Sequence, residues 1–241
     1  MINEIDNVVP KEKWEFDESV ANCFENMLSR SIPQYDIMRQ SVSDLVYDVI
    51  NTCPRKGYFS VLDVGCSDGL MIQSLLDKFN GSGYYTGIDV SEPMLKKASE
   101  RFLNNNSVHI MNHDIKNGTP SSKYDIITSI LTLQFVPINY RQQIIQNIYD
   151  GLNSARGCFI FVEKILGETA YLDSLMVKNY HEYKRQHGYS AEDIERKRLS
   201  LEGVLVPVTN NWNIDLLKQA GFRQIDVFWR WMNFVGYIAI K

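Results

Sequence analysis

Cysteine is scarce in this chain, and what there is shows no arrangement for chemistry. Cys23, Cys53, Cys66 and Cys158 lack C-x-x-C spacing, so neither a zinc site nor a disulfide framework is suggested. A dominant sign of charge is missing too. The 25 basic and 29 acidic residues give a formal net charge of −4, which offers no general grip on phosphate backbones and argues against a stand-alone nucleic-acid reader. No run approaches the roughly 18 apolar residues that a membrane span needs. Residues 1–6 also lack the cationic start and apolar stretch of an export signal. Together these absences describe a reduced, cytosolic chain with no metal and no membrane contact.

What is present is one hydrophobic pattern over 241 residues, which predicts a single domain (1–241) with appendages. The polar stretch 1–12 reads as loose. From Trp14 apolar residues recur at helical spacing through Leu28. A second helix, from about Tyr35 to Ile50, places Ile37, Met38, Val42, Leu45, Val46 and Val49 on one stripe, so that 1–55 forms an N-terminal helical segment.

From Val61 to Val162 strands and helices alternate. Strands are expected at 61–64, 84–88, 108–111, 124–130 and 157–162, with helices near 69–79, 92–103 and 139–152. Ser91 suits an N-cap with Pro93 in the first turn. Such alternation predicts an α/β fold with a parallel sheet covered by helices on both faces. After Glu163 the rhythm breaks, and the charged, tyrosine-rich helical stretches within 165–211 read as an insertion that covers the site. A helix at about 213–220, Gly221 as its C-cap, and an antiparallel hairpin of 224–230 with 233–240 complete the chain. A mostly parallel, seven-stranded sheet ending in such a hairpin is the Rossmann-like layout of class I methyltransferases.

Two strand ends carry the chemistry. Ser60-Val61-Leu62-Asp63-Val64-Gly65-Cys66-Ser67-Asp68-Gly69 runs from an apolar strand into a glycine turn and a helix, where Gly65 and Gly69 allow a ligand to approach the backbone closely. The helix-opening amides favour an anionic carboxylate nearby, and Asp63 suits an ammonium group reached through water. Tyr84–Val90 is a second strand ending in Asp89, whose carboxylate can accept both hydroxyls of a ribose. Asp114, past the third strand, can accept from an adenine amino group while the next backbone N–H, that of Ile115, reaches a ring nitrogen. Taken alone, Asp114 also reads as a turn residue bonding its own backbone, and the glycine turn as a plain strand–helix connection. The three acidic strand ends, Asp63, Asp89 and Asp114, point together to S-adenosylmethionine. Cys66 reads as a small packing residue of the turn rather than a nucleophile.

Four further stretches are more specific: Trp14-Glu15-Phe16-Asp17-Glu18-Ser19-Val20, Arg30-Ser31-Ile32-Pro33-Gln34-Tyr35, Leu131-Thr132-Leu133-Gln134-Phe135, and Tyr180-His181 through Gly188-Tyr189-Ser190 to Lys197-Arg198. With them the chain resembles the carboxy-S-adenosyl-L-methionine synthases, earlier described as tRNA uridine-5-oxyacetic acid methyltransferases, from about Trp14 to Lys241. The resemblance implies that S-adenosylmethionine is a substrate and not a methyl donor. Prephenate supplies a carboxyl group to the methyl carbon and aromatises to phenylpyruvate, while the departing hydroxide removes a methyl proton. It implies cofactor contacts from Tyr35, Gly65, Cys66 and Ser67, from Asp89 and Val90, from Asp114 and Ile115, and from the position of Ile130. It also implies that Arg198 holds the added carboxylate, that the protein is a homodimer, and that the product serves wobble-uridine modification of tRNA by a separate enzyme.

A planar guanidinium suits a carboxylate better than an ammonium does, because it offers two parallel hydrogen bonds. On its own, the Glu195-Arg196-Lys197-Arg198 run reads as a solvated helix face. Arg30 is as well suited to a structural ion pair as to a prephenate contact. Three positions depart from the family pattern: Ile130 replaces an asparagine that touches the cofactor, Asp68 an apolar residue, and Arg230 a neutral polar one. An ordinary S-adenosylmethionine-dependent methyltransferase therefore stays open as an alternative, as does a cofactor-binding protein without catalysis.

Overall fold

The computed structural model describes residues 13–52, 58–120, 123–154 and 156–241. Cys53 and the polar stretch 1–12 lie outside them. The chain begins with α1 (Glu18–Ser31) and α2 (Tyr35–Thr52), followed by β1 (Ser60–Val64), α3 (Leu70–Lys78), β2 (Tyr84–Asp89), α4 (Glu92–Arg101), β3 (Val108–Asn112), β4 (Ile126–Ile130), α5 (Ile138–Gly151) and β5 (Cys158–Leu166). Two helices, α6 (Ala170–Gln186) and α7 (Ala191–Leu201), precede β6 (Val208–Thr209), α8 (Asn210–Ala220), β7 (Gln224–Trp231) and β8 (Phe234–Ile240).

The sheet runs β3-β2-β1-β4-β5-β8-β7, parallel through β5 and antiparallel for the last two strands. Strands buried on both faces need apolar residues at nearly every position, and β1, β4 and β5 have them. Val61, Ile126, Ile160 and Val162 meet α2 and α3 on one face. Leu62, Val64, Phe159 and Phe161 meet α5 and α8 on the other. A smaller cluster of Trp14, Val20, Phe24, Met27 and Met94 packs α1 over the start of α4.

Among the described residues the seven expected strands form one path, and a short eighth strand, β6, joins it beside β5. β5 continues to Leu166, and its extra length lets Ile165 pair with Val208 of the short β6. The hydroxyl of Thr209 then accepts the Trp212 N–H, which starts α8 at Asn210, earlier than the expected 213. In α2 the expected stripe is corrected at Ile37, which is 60% exposed, whereas Met38, Val42 and Val46 are buried. The latter three recur every fourth residue, so they hold one face while Ile37 is turned away from it.

β1 pairs with β2 on one side and β4 on the other, so chain order reverses across the β1/β4 boundary. A crevice opens beyond the carboxyl ends of the strands at such a reversal. No helix among the described residues is long and apolar enough to cross a membrane.

Candidate active site

A cavity of about 880 Å³ lies at that crevice. Its floor is the turn after β1. Gly65 (φ +72°) and Gly69 (φ +82°) adopt the left-handed conformation that glycine tolerates without strain. A Cβ at Gly65 would collide with the Thr132 side chain, and one at Gly69 would sit 2.5 Å from the Phe102 ring, so both positions lack room as well.

Asp63 is buried and accepts the Thr128 hydroxyl at 2.7 Å, its partner across the β1/β4 register. Burial pushes its carboxyl up to about 7, the Thr128 bond partly offsets this, and the neighbouring Asp89 and Asp68 charges push in the same direction as burial. A positively charged group entering this acidic corner relieves that repulsion. Asp89, at the end of β2, accepts Ser67 N–H at 2.9 Å on one oxygen and Val90 and Ser91 N–H at 2.7 and 2.9 Å on the other. It thereby clamps the glycine turn to the strand beside it and still has lone pairs for hydroxyl donors.

Asp114 fulfils its turn role, accepting Lys116 N–H at 2.9 Å and pairing with Lys116 Nζ at 3.1 Å. It lines the cavity at the same time, next to buried Ile115. Cys66 is buried, and burial raises its thiol well above the ordinary range, as befits a packing group. Tyr35 opens α2, is buried, and stacks under the Arg39 guanidinium at 5.2 Å, with burial raising its phenol. Asp68 Oδ1 takes the Leu70 N–H at 3.4 Å, so one helix-opening donor expected to face an anionic carboxylate already has an acceptor. Arg39 also lines the cavity and offers such a carboxylate a cation.

The opposite wall comes from the inserted helices. Tyr180, His181 and Lys184 of α6 and Ile194, Lys197 and Arg198 of α7 face the cavity, joined by Lys164 from β5. The Arg198 side chain is 46% exposed and paired with Glu195 through two hydrogen bonds of 2.9 and 2.7 Å. The structure thus brings Tyr35, Gly65, Cys66, Ser67, Asp89, Val90, Asp114, Ile115, Ile130 and Arg198 to one cavity. Arg30 is not part of its lining. Its Nε donates to the His187 carbonyl at 2.9 Å and its guanidinium covers the Tyr189 ring at 4.3 Å, which ties α1 to the end of α6.

Comparison with known proteins narrows this arrangement. Residues 61–155 match the methyltransferase domain family. The carboxy-S-adenosyl-L-methionine synthase of Methylococcus capsulatus is 36% identical over 95% of this chain and 94% of its own length. That of Wolinella succinogenes is 37% identical over 96% and 95%. The chain belongs to the carboxy-S-adenosyl-L-methionine synthase family. Among solved structures, the plantazolicin methyltransferase BpumL in complex with S-adenosylhomocysteine (SAH) superimposes with a TM-score of 0.66, at 16% identity over 91% of this chain and 90% of that one. Human N-acetylserotonin methyltransferase, in complex with S-adenosylmethionine (SAM), does so at 0.61, with 14% identity over 93% and 55%. At that identity the likeness establishes the class I methyltransferase fold and nothing finer.

Membership of a carboxy-SAM synthase family makes the chain a SAM-utilising transferase, and gives its departures a place to be judged. Ile130 ends β4 half-buried at the cavity, where it contributes apolar surface only. Asp68 is buried and answered by Arg101, which donates to its carbonyl at 2.9 Å and pairs with its carboxylate at 3.1 Å. Arg230 is exposed on β7 and lies outside the cavity lining.

Sequence reasoning missed the support of the Thr132–Val136 loop. Buried Glu163 accepts Leu133 N–H at 2.9 Å, and burial pushes its carboxyl up to about 8 despite nearby Arg141. Buried Arg141 donates to the carbonyls of Val136 at 2.9 Å, Gln134 at 3.2 Å and Val206 at 2.7 Å. A carboxylate within an otherwise apolar strand, Cys-Phe-Ile-Phe-Val-Glu, was the available signal.

Proposed function

We propose that the chain is a carboxy-SAM synthase that converts SAM and prephenate to carboxy-SAM, phenylpyruvate and water. A C–C bond forms between the methyl carbon of SAM and the carboxyl carbon lost by prephenate. The hydroxide that leaves as the ring aromatises takes the methyl proton and departs as water. The observation that carries this reading is the pairing, in one cavity, of an acidic glycine-turn half with a cationic half formed by the inserted helices.

The residues present fit SAM. The Gly65–Ser67 turn lines the cavity with backbone, Asp89 supplies acceptors for ribose hydroxyls, and Asp63 supplies negative charge for the ammonium group. When bound, SAM supplies a sulfonium whose positive charge makes its methyl protons removable. The protein's own contribution is placement and exclusion of water, so that carbon meets carbon before it meets a proton. Trp14, Phe16, Phe24 and Phe135 supply an apolar lining for that purpose, with the Phe16 and Phe135 rings edge to face at 5.0 Å. In this reading Arg198 exchanges its exposed partner Glu195 for the new carboxylate.

The same reading carries a cytoplasmic homodimer. Tyr171, Leu172 and Leu175 on α6 and Leu199 on α7 are exposed apolar groups on the inserted helices, suited to a second copy. The product would feed a separate carboxymethyl transfer to tRNA wobble uridine, with no nucleic acid bound by this chain itself. Incubation with SAM and prephenate, read by mass spectrometry, tests the reaction. A species heavier than SAM by one carboxyl group is expected, and SAH formed in its place would mean methyl transfer.

A further inference from the structure

The helix α4 is a strut that touches the acidic half of the cavity at both ends. At its start Ser91 donates its N–H to Asp89 at 2.9 Å and its hydroxyl to the Phe16 carbonyl at 2.7 Å. About 15 Å along the axis, at 1.5 Å per residue, Arg101 ends the helix. Its Nε donates to the Asp68 carbonyl at 2.9 Å and its Nη2 to the Asp68 carboxylate at 3.1 Å. The next side chain, Phe102, is the ring that leaves Gly69 no room for a Cβ. The end of α4 thus grips the glycine turn at Asp68 and Gly69, although Arg101 itself is not part of the cavity lining.

Asp68 brings a charge to this grip. It is 6% exposed, lines the cavity, and stands where the family pattern has an apolar residue. Asp63 from β1 and Asp89 from β2 face the same corner, as do Cys66 within the turn and Tyr35 and Arg39 from α2. Arg39 covers the Tyr35 ring at 5.2 Å and reaches exposed Asp36 at 3.7 Å. Burial, then Asp89 and Asp68, raises Asp63, the acceptor read for the ammonium group of SAM. Arg101 answers Asp68 while keeping part of its own charge in water. Its side chain is 29% exposed and borders a separate open hollow with Asp77 and Glu100.

A guanidinium can serve a carbonyl and a carboxylate at once through its rigid fork. We infer that Arg101 is a positioning residue for SAM: from behind the glycine turn it fixes Asp68 by backbone and side chain together. An acid foreign to the family's turn is thereby tolerated beside the methionine half of SAM. Asp68 and Arg101 act as one unit, because removing a single partner leaves a buried charge unanswered while removing both does not. This inference rests on the reading of the glycine turn as the SAM half, and it adds a residue that acts on that half from outside the cavity.

The test is a double-mutant cycle on the full chain, with SAH affinity read by calorimetry from pH 6 to pH 8.5. Arg101→Met is expected to weaken SAH about tenfold at pH 7. It should also raise the midpoint of the pH profile by at least about half a unit, because Asp63 then faces an unanswered neighbour. With Asp68→Leu added to Arg101→Met, SAH should bind within about threefold of the wild type, at a midpoint no higher than the wild type's. A helix end that serves stability alone would lower affinity by one factor at every pH and gain nothing from Asp68→Leu, and that result would overturn the inference. If Arg101→Met loses its circular dichroism, the double variant decides: folded with near wild-type affinity it supports the pairing, and unfolded or still weak it refutes it. If the wild-type profile is flat and the double variant recovers affinity, the Asp63 reading fails and the role of Arg101 stands. If the profile rises with pH and the double variant recovers nothing, the Asp63 reading stands and the role of Arg101 fails.

Discussion

Glu163 accepts the backbone N–H of Leu133 at 2.9 Å, and this bond ties the middle of the sheet to the loop that closes one side of the cavity. The loop needs such a tie because Leu131, just before it, holds φ at +59°, a conformation that a branched side chain rarely adopts. An acceptor delivered from a rigid strand offsets that strain.

The burial of Glu163 makes stability depend on pH, and its bond to Leu133 only partly offsets that burial. Burial raises Glu163 to about 8 from an ordinary 4.5, so between those values the unfolded chain is ionised there while the folded one keeps its proton. The contribution is complete below the unfolded value and is lost as pH climbs through the folded one. Glu163→Gln should therefore melt close to the wild type near pH 5 and at least about 3 °C higher near pH 9. Parallel melting curves over that range would show that Glu163 is ionised in the fold.

In the proposed reading, Asp63 gives ligand binding its own pH dependence. Its carboxyl rests at about 7, so a cationic ammonium must draw it into the charged form below that value. Affinity for SAH, measured by calorimetry, should rise up to about tenfold from pH 6 to pH 8. In Asp63→Asn it should be weaker and nearly flat. A flat wild-type profile would remove Asp63 from the ammonium site.

Asp89→Ala should act twice, because it takes away acceptors for three backbone N–H groups as well as for a ribose. Stability in urea should fall by about 1–3 kcal/mol, and SAM affinity by more than about tenfold. Lowered stability with unchanged affinity would leave Asp89 as a clamp for the glycine turn and nothing more.

Arg198→Ala should leave SAM binding within about twofold, since the guanidinium is half exposed and engaged with Glu195. Carboxylated product should disappear. Wild-type turnover by the variant would reduce Arg198 to a surface charge.

The alternation of short apolar runs with helices made the sheet and its helical cover legible in the sequence, and the acidic strand ends located the crevice. Gly65 and Gly69 were legible for a related reason, since a left-handed φ beside a neighbouring side chain leaves few other residues possible. Ile37 was misread because adjacent apolar residues on a helix point about 100° apart, and only the packing partner decides which is buried. The partners of Glu163 and Lys164 on β5 and of Arg141 on α5 were not legible, because a single charge in an element does not reveal which backbone it will meet. Arg141 serves the carbonyl of Val206, 65 residues away. That pairing exists only once the insertion has folded back over the sheet.

Along β5, Phe161 and Glu163 belong to the face covered by α5 and α8, while Val162 and Lys164 turn toward the opposite one, Lys164 reaching the cavity. Side chains on a strand change sides at every residue. Deleting one residue between Ile160 and Glu163 would send the acid into the substrate chamber and the amine into the scaffold behind the Thr132–Val136 loop. The alternating pleat of a single strand thus sorts the two signs of charge, and a frame change of one position would exchange an amine for an acid on the cavity wall.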